Sequence, residues 1–545
     1  MPPDATTVPP GLRLRPDPGA RLVACGSVLV GGSPVRVLRL TPAGARAVAS
    51  WFAGTPVAAR SGDRALARKL LDAGIAHPDF AGRAPGGVGA ARAAGADGAC
   101  GAPAAGPGPV PVPAAAFDGG FPGPGDVTVV IPVRDRHAEL ARCLDGLRDL
   151  PHVIVVDDAS AEPLAIKRIA AERGADVIRR AVNGGPGAAR NTGLAAAATG
   201  LVAFLDSDCV PAPGWLVSLL PHFADQAVGA VAPRIVPHER GTGWLARYEG
   251  ASSTLDMGAR PSIVRPGARV SYVPGAALVV RKSAARHGFR ERMYVGEDVD
   301  FVWRMSAAGW RVRYEPAAVM SHDHRVTFRA WFSRRADYGT SAAALEELHP
   351  GAVRPLYASW WTAGAWGAAL SGRPVTALAL TATATALLAR RLSRVTEERW
   401  PLPAPLPDNS NRRPASTTAS AADGRKELVR GRRGGAAWGL ALRLAGGGTL
   451  SAGRPLGSAV TRTWWPVAIP AALAVKRLRL PVAALIVAPA LLDWADRRPP
   501  LDPARYVAAR LLDDAAYSLG VWQGCLARRT LRPLLPVIGA RRQPG

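Results

Sequence analysis

Lysine is almost missing from this chain. Only five of its 68 basic residues are lysine (Lys69, Lys167, Lys282, Lys426 and Lys476); the rest are arginine. With 59 glycines, 50 prolines and abundant alanine, this is the residue usage of a GC-rich genome, so part of the net charge of +26 carries no function. Cysteine is scarce too. Cys25, Cys100, Cys143, Cys209 and Cys525 are scattered with no CxxC pair, which excludes a disulfide framework and a structural zinc and fits a reduced cytoplasm. Aromatic residues make up 6% of the chain, and no module interleaves them with basic residues, so nucleic acid is not an expected partner. Neither GxGxxG nor a P-loop Lys-Ser/Thr occurs at the glycine-rich segment described below, which argues against a dehydrogenase and an NTPase. The opening residues MPPDATTVPPGLRLRPD contain no apolar core, so no signal peptide is expected.

At 545 residues, 48% of them hydrophobic, the chain exceeds one ordinary domain. Four regions are expected. Residues 1–80 read as a small winged-helix-like domain. In it, Arg21 to Val30 and Val35 to Leu40 flank the turn Gly31-Gly32-Ser33-Pro34, and Thr41-Pro42 starts a helix to Phe52. A second helix is expected over Ala65 to Ala73. Residues 81–125, nearly all Ala, Gly and Pro, read as a linker that lacks the apolar surface to order itself.

Residues 126–345 alternate apolar runs with helical patterns. Val127 to Pro132, His152 to Val156, Asp176 to Ile178 and Leu201 to Leu205 read as strands. Helices are expected at Ala138 to Leu147, Leu164 to Arg173 and Gly187 to Ala198. This spacing gives an α/β fold with a doubly wound sheet, whose ligands bind at the carboxyl ends of the strands.

Residues 346–545 read as a helical, apolar, membrane-associating region with a disordered insert at 401–435. Arg373-Pro374 breaks the run Trp360 to Leu388, and Lys476-Arg477-Leu478-Arg479 breaks Trp464 to Trp494. Neither run alone is expected to span a bilayer. Interfacial or hairpin helices on an anionic membrane face stand beside buried core helices as readings. The dense arginine after Arg390 is equally read as a membrane-facing or a merely solvated charge.

Several motifs carry chemistry. Asp206-Ser207-Asp208 follows the apolar Leu201 to Leu205. Residues i and i+2 of an extended segment point the same way, so two carboxylates face one cavity. Hard oxygen ligands suit Mg²⁺ or Mn²⁺ held with phosphates. Asp157-Asp158 also ends a strand, where a carboxylate accepts from a base N–H or a ribose hydroxyl, or caps the following helix. Asn183-Gly184-Gly185-Pro186-Gly187-Ala188-Ala189-Arg190-Asn191 opens a helix, whose N-terminus favours anions. Glu297-Asp298 starts another helix, where a carboxylate serves as general base or as a plain N-cap. His322 and His324 flank Asp323 after a short strand from Arg311 to Tyr314, and either imidazole is a candidate metal ligand.

In order and spacing, VTVVIPVRDR, VIVVDDAS, NGGPGAARNTG, FLDSD, GEDVDFVWR and SHDHR resemble the inverting family 2 glycosyltransferases of the GT-A fold over residues 127–335. The resemblance implies a UDP-sugar donor and a metal-dependent hexosyltransferase. It implies Pro132 and Asp158 at the uracil end, with Val133 and Arg134 alongside, and Arg190 and Gly187 at the diphosphate. It implies Asp206 at the ribose or donor sugar and Asp208 at the metal, with Asp206, His322 and His324 as further candidate ligands. Asp298 is implied as base, in a pair with Glu297. More narrowly, LVGGSPVRVLRLTPAG, LLDAGIAHPDF and DVTVVIPVRDR, followed by an apolar C-terminal part, resemble the mycofactocin-system glycosyltransferases of actinobacteria. That implies β-linked glucose from UDP-glucose and a peptide-derived small-molecule acceptor; the apolar C-terminal segments give the expected place, the cytoplasmic side of the membrane. A cell-envelope polysaccharide or glycolipid is the alternative product.

Overall fold

The computed structural model describes residues 6–23, 26–80, 121–238, 242–324, 327–397 and 438–539. Most of the expected linker, and all of the expected insert at 401–435, lie outside these residues. The chain divides into two units. One holds Met1–Arg21, Leu29–Ala352 and Pro499–Leu501, with most of the N-terminal domain and the whole sheet domain; the other holds Leu22–Val28, Val353–Arg498 and Asp502–Gly545.

In the N-terminal domain, the strand Arg13–Pro16 pairs antiparallel with Ala76–Asp79. Val28–Gly31 and Arg36–Arg39 are neighbours in a second small sheet, joined through the expected Gly-Gly-Ser-Pro turn. The first helix, Pro42–Phe52, is capped by the Thr41 hydroxyl, which accepts from Gly44 N at 3.0 Å. The second begins a turn earlier than expected, at Ser61, and ends at Asp72. Leu14, Leu29, Val48, Trp51, Leu70, Leu71 and Ile75 form the core.

This domain is pinned to the sheet domain by arginine–carboxylate pairs. Arg68 meets Asp225 at 2.7 Å, Arg311 meets Asp72 at 2.9 Å, Arg269 meets Asp17 at 3.1 Å and Arg15 meets Glu315 at 3.2 Å. Burial works against the Asp17 charge, but hydrogen bonds from His77, Gly19 and Arg269 outweigh it and hold the carboxyl well below its ordinary range.

The sheet domain runs β1 (Val127–Val133), α1 (His137–Asp145), β2 (Val153–Asp158), α2 (Pro163–Ala171), β3 (Asp176–Arg180), α3 (Gly185–Ala196), β4 (Leu201–Leu205) and β5 (Cys209–Pro211). There follow α4 (Trp215–Leu219), β6 (Val228–Pro237), α5 (Trp244–Ser252), β7 (Ser262–Val264), β8 (Ala277–Arg281), α6 (Glu297–Ala307), β9 (Arg311–His322) and α7 (Phe328–Leu348). Nine strands form one mixed sheet in the order β5-β9-β6-β8-β4-β1-β2-β3, with β7 also on β9. β3, β2, β1 and β4 are parallel; β8 is antiparallel to β4 and β6, and β6 is parallel to β9. The chain leaves β1 toward β2 and returns to β4, so the switch point where α/β sheets bind ligands falls at the ends of these strands.

The apolar runs of β1, β2 and β4 are buried on both faces, as the helical cover on a parallel sheet requires. α3 lies unusually close to β1. A Cβ placed on Gly193 would sit 2.2 Å from a methyl of Val130, so only glycine permits this approach. The strand expected to stop at Tyr314 continues to His322, because its second half pairs with β5 and the end of β6.

The C-terminal unit is helical. Pro374–Glu397 and Arg479–Arg497 are long, single helices. Both contain windows apolar enough to cross a membrane, at Pro374–Ser393 and Lys476–Arg497, with only 17% and 11% of each window buried. This corrects the expectation that neither run is long enough. The basic cluster does not interrupt the second helix; it forms a 3-10 turn, Lys476–Leu478, at its start. Several of the unit's polar groups are inside. Asp513, Asp514 and Ser518 are buried, Thr461 donates to Asp514 at 2.6 Å, and Arg462 pairs with Asp514 at 3.2 Å. Leu378, Leu450, Leu480 and Val375 are exposed.

Candidate active site

The sheet brings most of the sequence-expected residues to one edge. Asp206 and Asp208 follow β4, and Asp158 ends β2. The glycine loop opens α3, Glu297 and Asp298 open α6, and His322 ends β9.

At the centre lies Arg190, 3% exposed. Its Nη2 donates to Asp206 at 2.7 Å and its Nη1 to Glu297 at 2.9 Å. Its guanidinium lies 5.3 Å from the Phe289 ring centroid. Burial opposes the Arg190 charge, yet Asp206, Glu297 and Asp298 outweigh it and keep the group firmly protonated. Arg190 therefore ties the DxD segment to the acidic pair of α6 from beneath. Burial, and then the adjacent Asp298 charge, push the Glu297 carboxyl up to about 7, against the pull of Arg190.

Asp298 is the more open member of the pair. Its Oδ2 accepts from Gly275 N at 2.7 Å and its Oδ1 from Val299 N at 2.8 Å, which fixes the carboxylate at the helix N-terminus.

Asp208 pairs with Arg136 through Oδ2. Its Oδ1 is buried, has no hydrogen-bond partner, and lies 3.4 Å from His322 Nε2. Asp208, Cys209 and His322 form the one group among the described residues close enough to share an ion. The Cys209 thiol is turned to the Ala276 carbonyl at 3.4 Å, and burial pushes it well up. A carboxylate and an imidazole are the donors left, a set that suits Mn²⁺ or Mg²⁺ better than a soft metal. The orphaned Asp208 oxygen fits such an ion. His324 is not in this group; both its ring nitrogens are closed off without a hydrogen-bond partner.

Asp158 is 4% exposed and already engaged. Its Oδ1 accepts from Arg180 at 2.8 Å and Gly184 N at 3.0 Å, and its Oδ2 from Gly185 N at 2.8 Å. The carboxylate expected to face a base here holds the glycine loop to the end of β2. Gly185 has a φ of +81°, the left-handed turn that starts α3. Gly187 is buried against Phe289 and Glu297. Pro132 and Val133 end β1, and Arg134 is exposed beside Asp135 at 3.6 Å.

Three residues were not singled out in the sequence. Arg136 closes VTVVIPVRDR but is one of many arginines, and Gly275 carries no motif. Tyr294, 68% exposed, lies over Gly185 at the mouth of the loop.

A doubly wound mixed sheet with a DxD at the switch point and an acidic pair facing it defines a glycosyltransferase of the GT-A fold. The model of glycosyl transferase family 2 matches residues 128–288. The pre-mycofactocin glycosyltransferase of Mycobacterium tuberculosis, in strains CDC 1551 and H37Rv, is 38% identical over 544 residues, covering 98% of this chain and 99% of that protein. The O-antigen chain rhamnosyltransferase RfbN of Salmonella typhimurium is 28% identical over 26% of this chain and 46% of its own. Among solved structures, a mannosyltransferase from Pyrobaculum calidifontis in complex with GDP-Man and Mn²⁺ aligns with a TM-score of 0.33 and 20% identity, over 60% of this chain and 87% of that one. The chain belongs to the pre-mycofactocin glycosyltransferases, within glycosyltransferase family 2.

Proposed function

We propose that this enzyme transfers glucose from UDP-glucose, with inversion, to a hydroxyl of the peptide-derived redox cofactor mycofactocin, building a β-linked chain. The carrying observation is the Arg190 bridge, which sets Asp206 on the donor side against Glu297 and Asp298 on the acceptor side. The acceptor oxygen attacks the anomeric carbon from the face opposite the diphosphate, and its proton passes to Asp298. The carbon–oxygen bond to the diphosphate breaks, and the electron pair leaves with UDP. One displacement inverts the centre. Arg190 steadies Asp206, and the glycine loop presents backbone N–H groups at the α3 N-terminus. Asp208 and His322, with Asp206 beside them, would hold a divalent cation, Mg²⁺ or Mn²⁺, which would supply charge stabilisation to the departing diphosphate. Pro132, Val133 and Arg134 border the place assigned to uracil, over the loop that Asp158 secures.

The exposed apolar faces and buried acids of the C-terminal unit support a place at the cytoplasmic face of the membrane. In lipid, polar groups turn to a bundle's interior. The same feature supports the second reading, an envelope polysaccharide or glycolipid product.

The decisive experiment is a donor screen. Purified enzyme is incubated with Mn²⁺ or Mg²⁺, each UDP- or GDP-sugar, and the peptide-derived precursor, and product mass is read. A ladder of hexose additions from UDP-glucose is the expected result. Donor hydrolysis without transfer to the precursor shifts the assignment to an envelope acceptor.

A further inference from the structure

A second cavity lies far from the glycosyl-transfer site, between the N-terminal domain and the sheet domain. It has a volume of about 260 Å³ and is walled by Pro10, Pro78, Phe80, Phe121 and Pro221, with Arg313 in its lining. Arg313 and His322 belong to the same strand, β9, nine residues apart. At roughly 3.3 Å per residue the two sites are on the order of 30 Å from each other, beyond the reach of one small ligand.

The lining sets Arg13 and Arg313 against Asp79 and Asp225, yet Arg313 itself is in no ion pair. Arg313 is 2% exposed, and its Nε and Nη2 have no hydrogen-bond partner. No carboxylate lies within ion-pair distance of it among the described residues. The carboxylate whose charge acts most strongly on it, Asp225, is committed elsewhere; it accepts from Arg68 at 2.7 Å and from Ala227 N at 3.0 Å. His222, edge-on to Phe80 with ring centroids 4.9 Å apart, is kept neutral by burial and brings no counter-charge. A buried, unpaired guanidinium is costly unless an anion reaches it. Burial itself pulls the Arg313 group down to about 10, which leaves it charged at neutral pH.

We infer that this cavity is a binding site for a small organic carboxylate with an apolar body, anchored by Arg313. Three features fix that class. One unmatched guanidinium calls for a monoanion. Asp79 and Asp225 in the lining repel a dianion such as phosphate. The proline and phenylalanine walls favour an aromatic or aliphatic body, and a volume below the roughly 300–1,000 Å³ of drug-sized sites limits it to amino-acid size. The ligand bridges the two domains, so its binding tightens the seam.

The test uses the full chain in detergent micelles, with phenylacetate as probe. Calorimetric titration is expected to give saturable binding and a rise in melting temperature. Its neutral isostere 2-phenylethanol and inorganic phosphate are expected to bind at least 10-fold more weakly. Arg313→Met, which removes the buried charge and keeps the bulk, is expected to fold, as read by circular dichroism, and to lose phenylacetate binding. Phe80→Ala, which keeps the anchor, is expected to weaken binding about 5-fold or more and serves if Arg313→Met does not fold. Equal binding of phenylacetate and phenylethanol overturns the inference, as does tighter binding of phosphate. Undiminished binding in both variants, or no binding of phenylacetate at millimolar concentration, overturns it as well.

Discussion

At the scale of single residues, the site is a small electrostatic lattice in which one guanidinium serves three carboxylates. Because Asp298 is the reachable carboxylate, Asp298→Asn is expected to lower kcat by about 10²- to 10⁴-fold while donor binding, read by UDP titration, is kept. Normal turnover removes the base assignment. Asp208→Asn is expected to cost roughly 100- to 1,000-fold in transfer, the worth of several kcal/mol of lost charge stabilisation, and to weaken Mn²⁺ binding measured directly. Glu297 gives a pH signature. Its folded-state pKa is raised to about 7 from an ordinary 4.5. The unfolded chain therefore releases this proton first, and the carboxylate costs stability progressively as pH rises from 4.5 to 7. Glu297→Gln is expected to remove that slope in a series of melting curves. A slope that persists in Glu297→Gln refutes the assignment of this titration to Glu297. The carboxylates of this lattice were legible because aspartate at the end of an apolar run is conspicuous. Arg136 was not, because in a chain with 63 arginines one more carries no signal.

At the scale of elements, the close approach of α3 to β1 sets the depth at which Arg190 sits. Gly193→Ala places a methyl where Val130 already is, and the melting temperature is expected to fall by the equivalent of about 1–3 kcal/mol, the cost of an overpacked core. The strands β1, β2 and β4 could be read from sequence since each is a short, nearly continuous apolar run, as strands buried on both faces are. β6 was not, because two prolines, Pro233 and Pro237, break its pattern; it holds its place through pairing with β9 and β8. The full length of β9 was hidden for a related reason. Its second half is fixed by partners distant in sequence, with a register shift near Pro233 that no local pattern announces. The arginine pairs that seat the N-terminal domain join residues 157 to 300 positions apart, so sequence spacing could not foretell them.

At the scale of the whole molecule, two different solvents are implied by two surfaces. The first unit has an extensive buried apolar core, whereas the second exposes leucine and valine along helices that bury Asp513 and Asp514. A protein truncated after Ala352 is expected to stay in the supernatant on ultracentrifugation without detergent, and the full chain to sediment with membranes. A full chain that remains soluble would end the membrane reading. The borders of the catalytic sheet are guarded by different means. On one side β3 carries Arg179 and Arg180, each paired to an aspartate of β2, and on the other β5 and β7 are three residues long. Charged or very short edges offer poor templates for a foreign strand. Clumping during overproduction should therefore begin at the helical surface, and a mild surfactant, rather than lower temperature or a redesigned sheet, is the remedy to which it should respond.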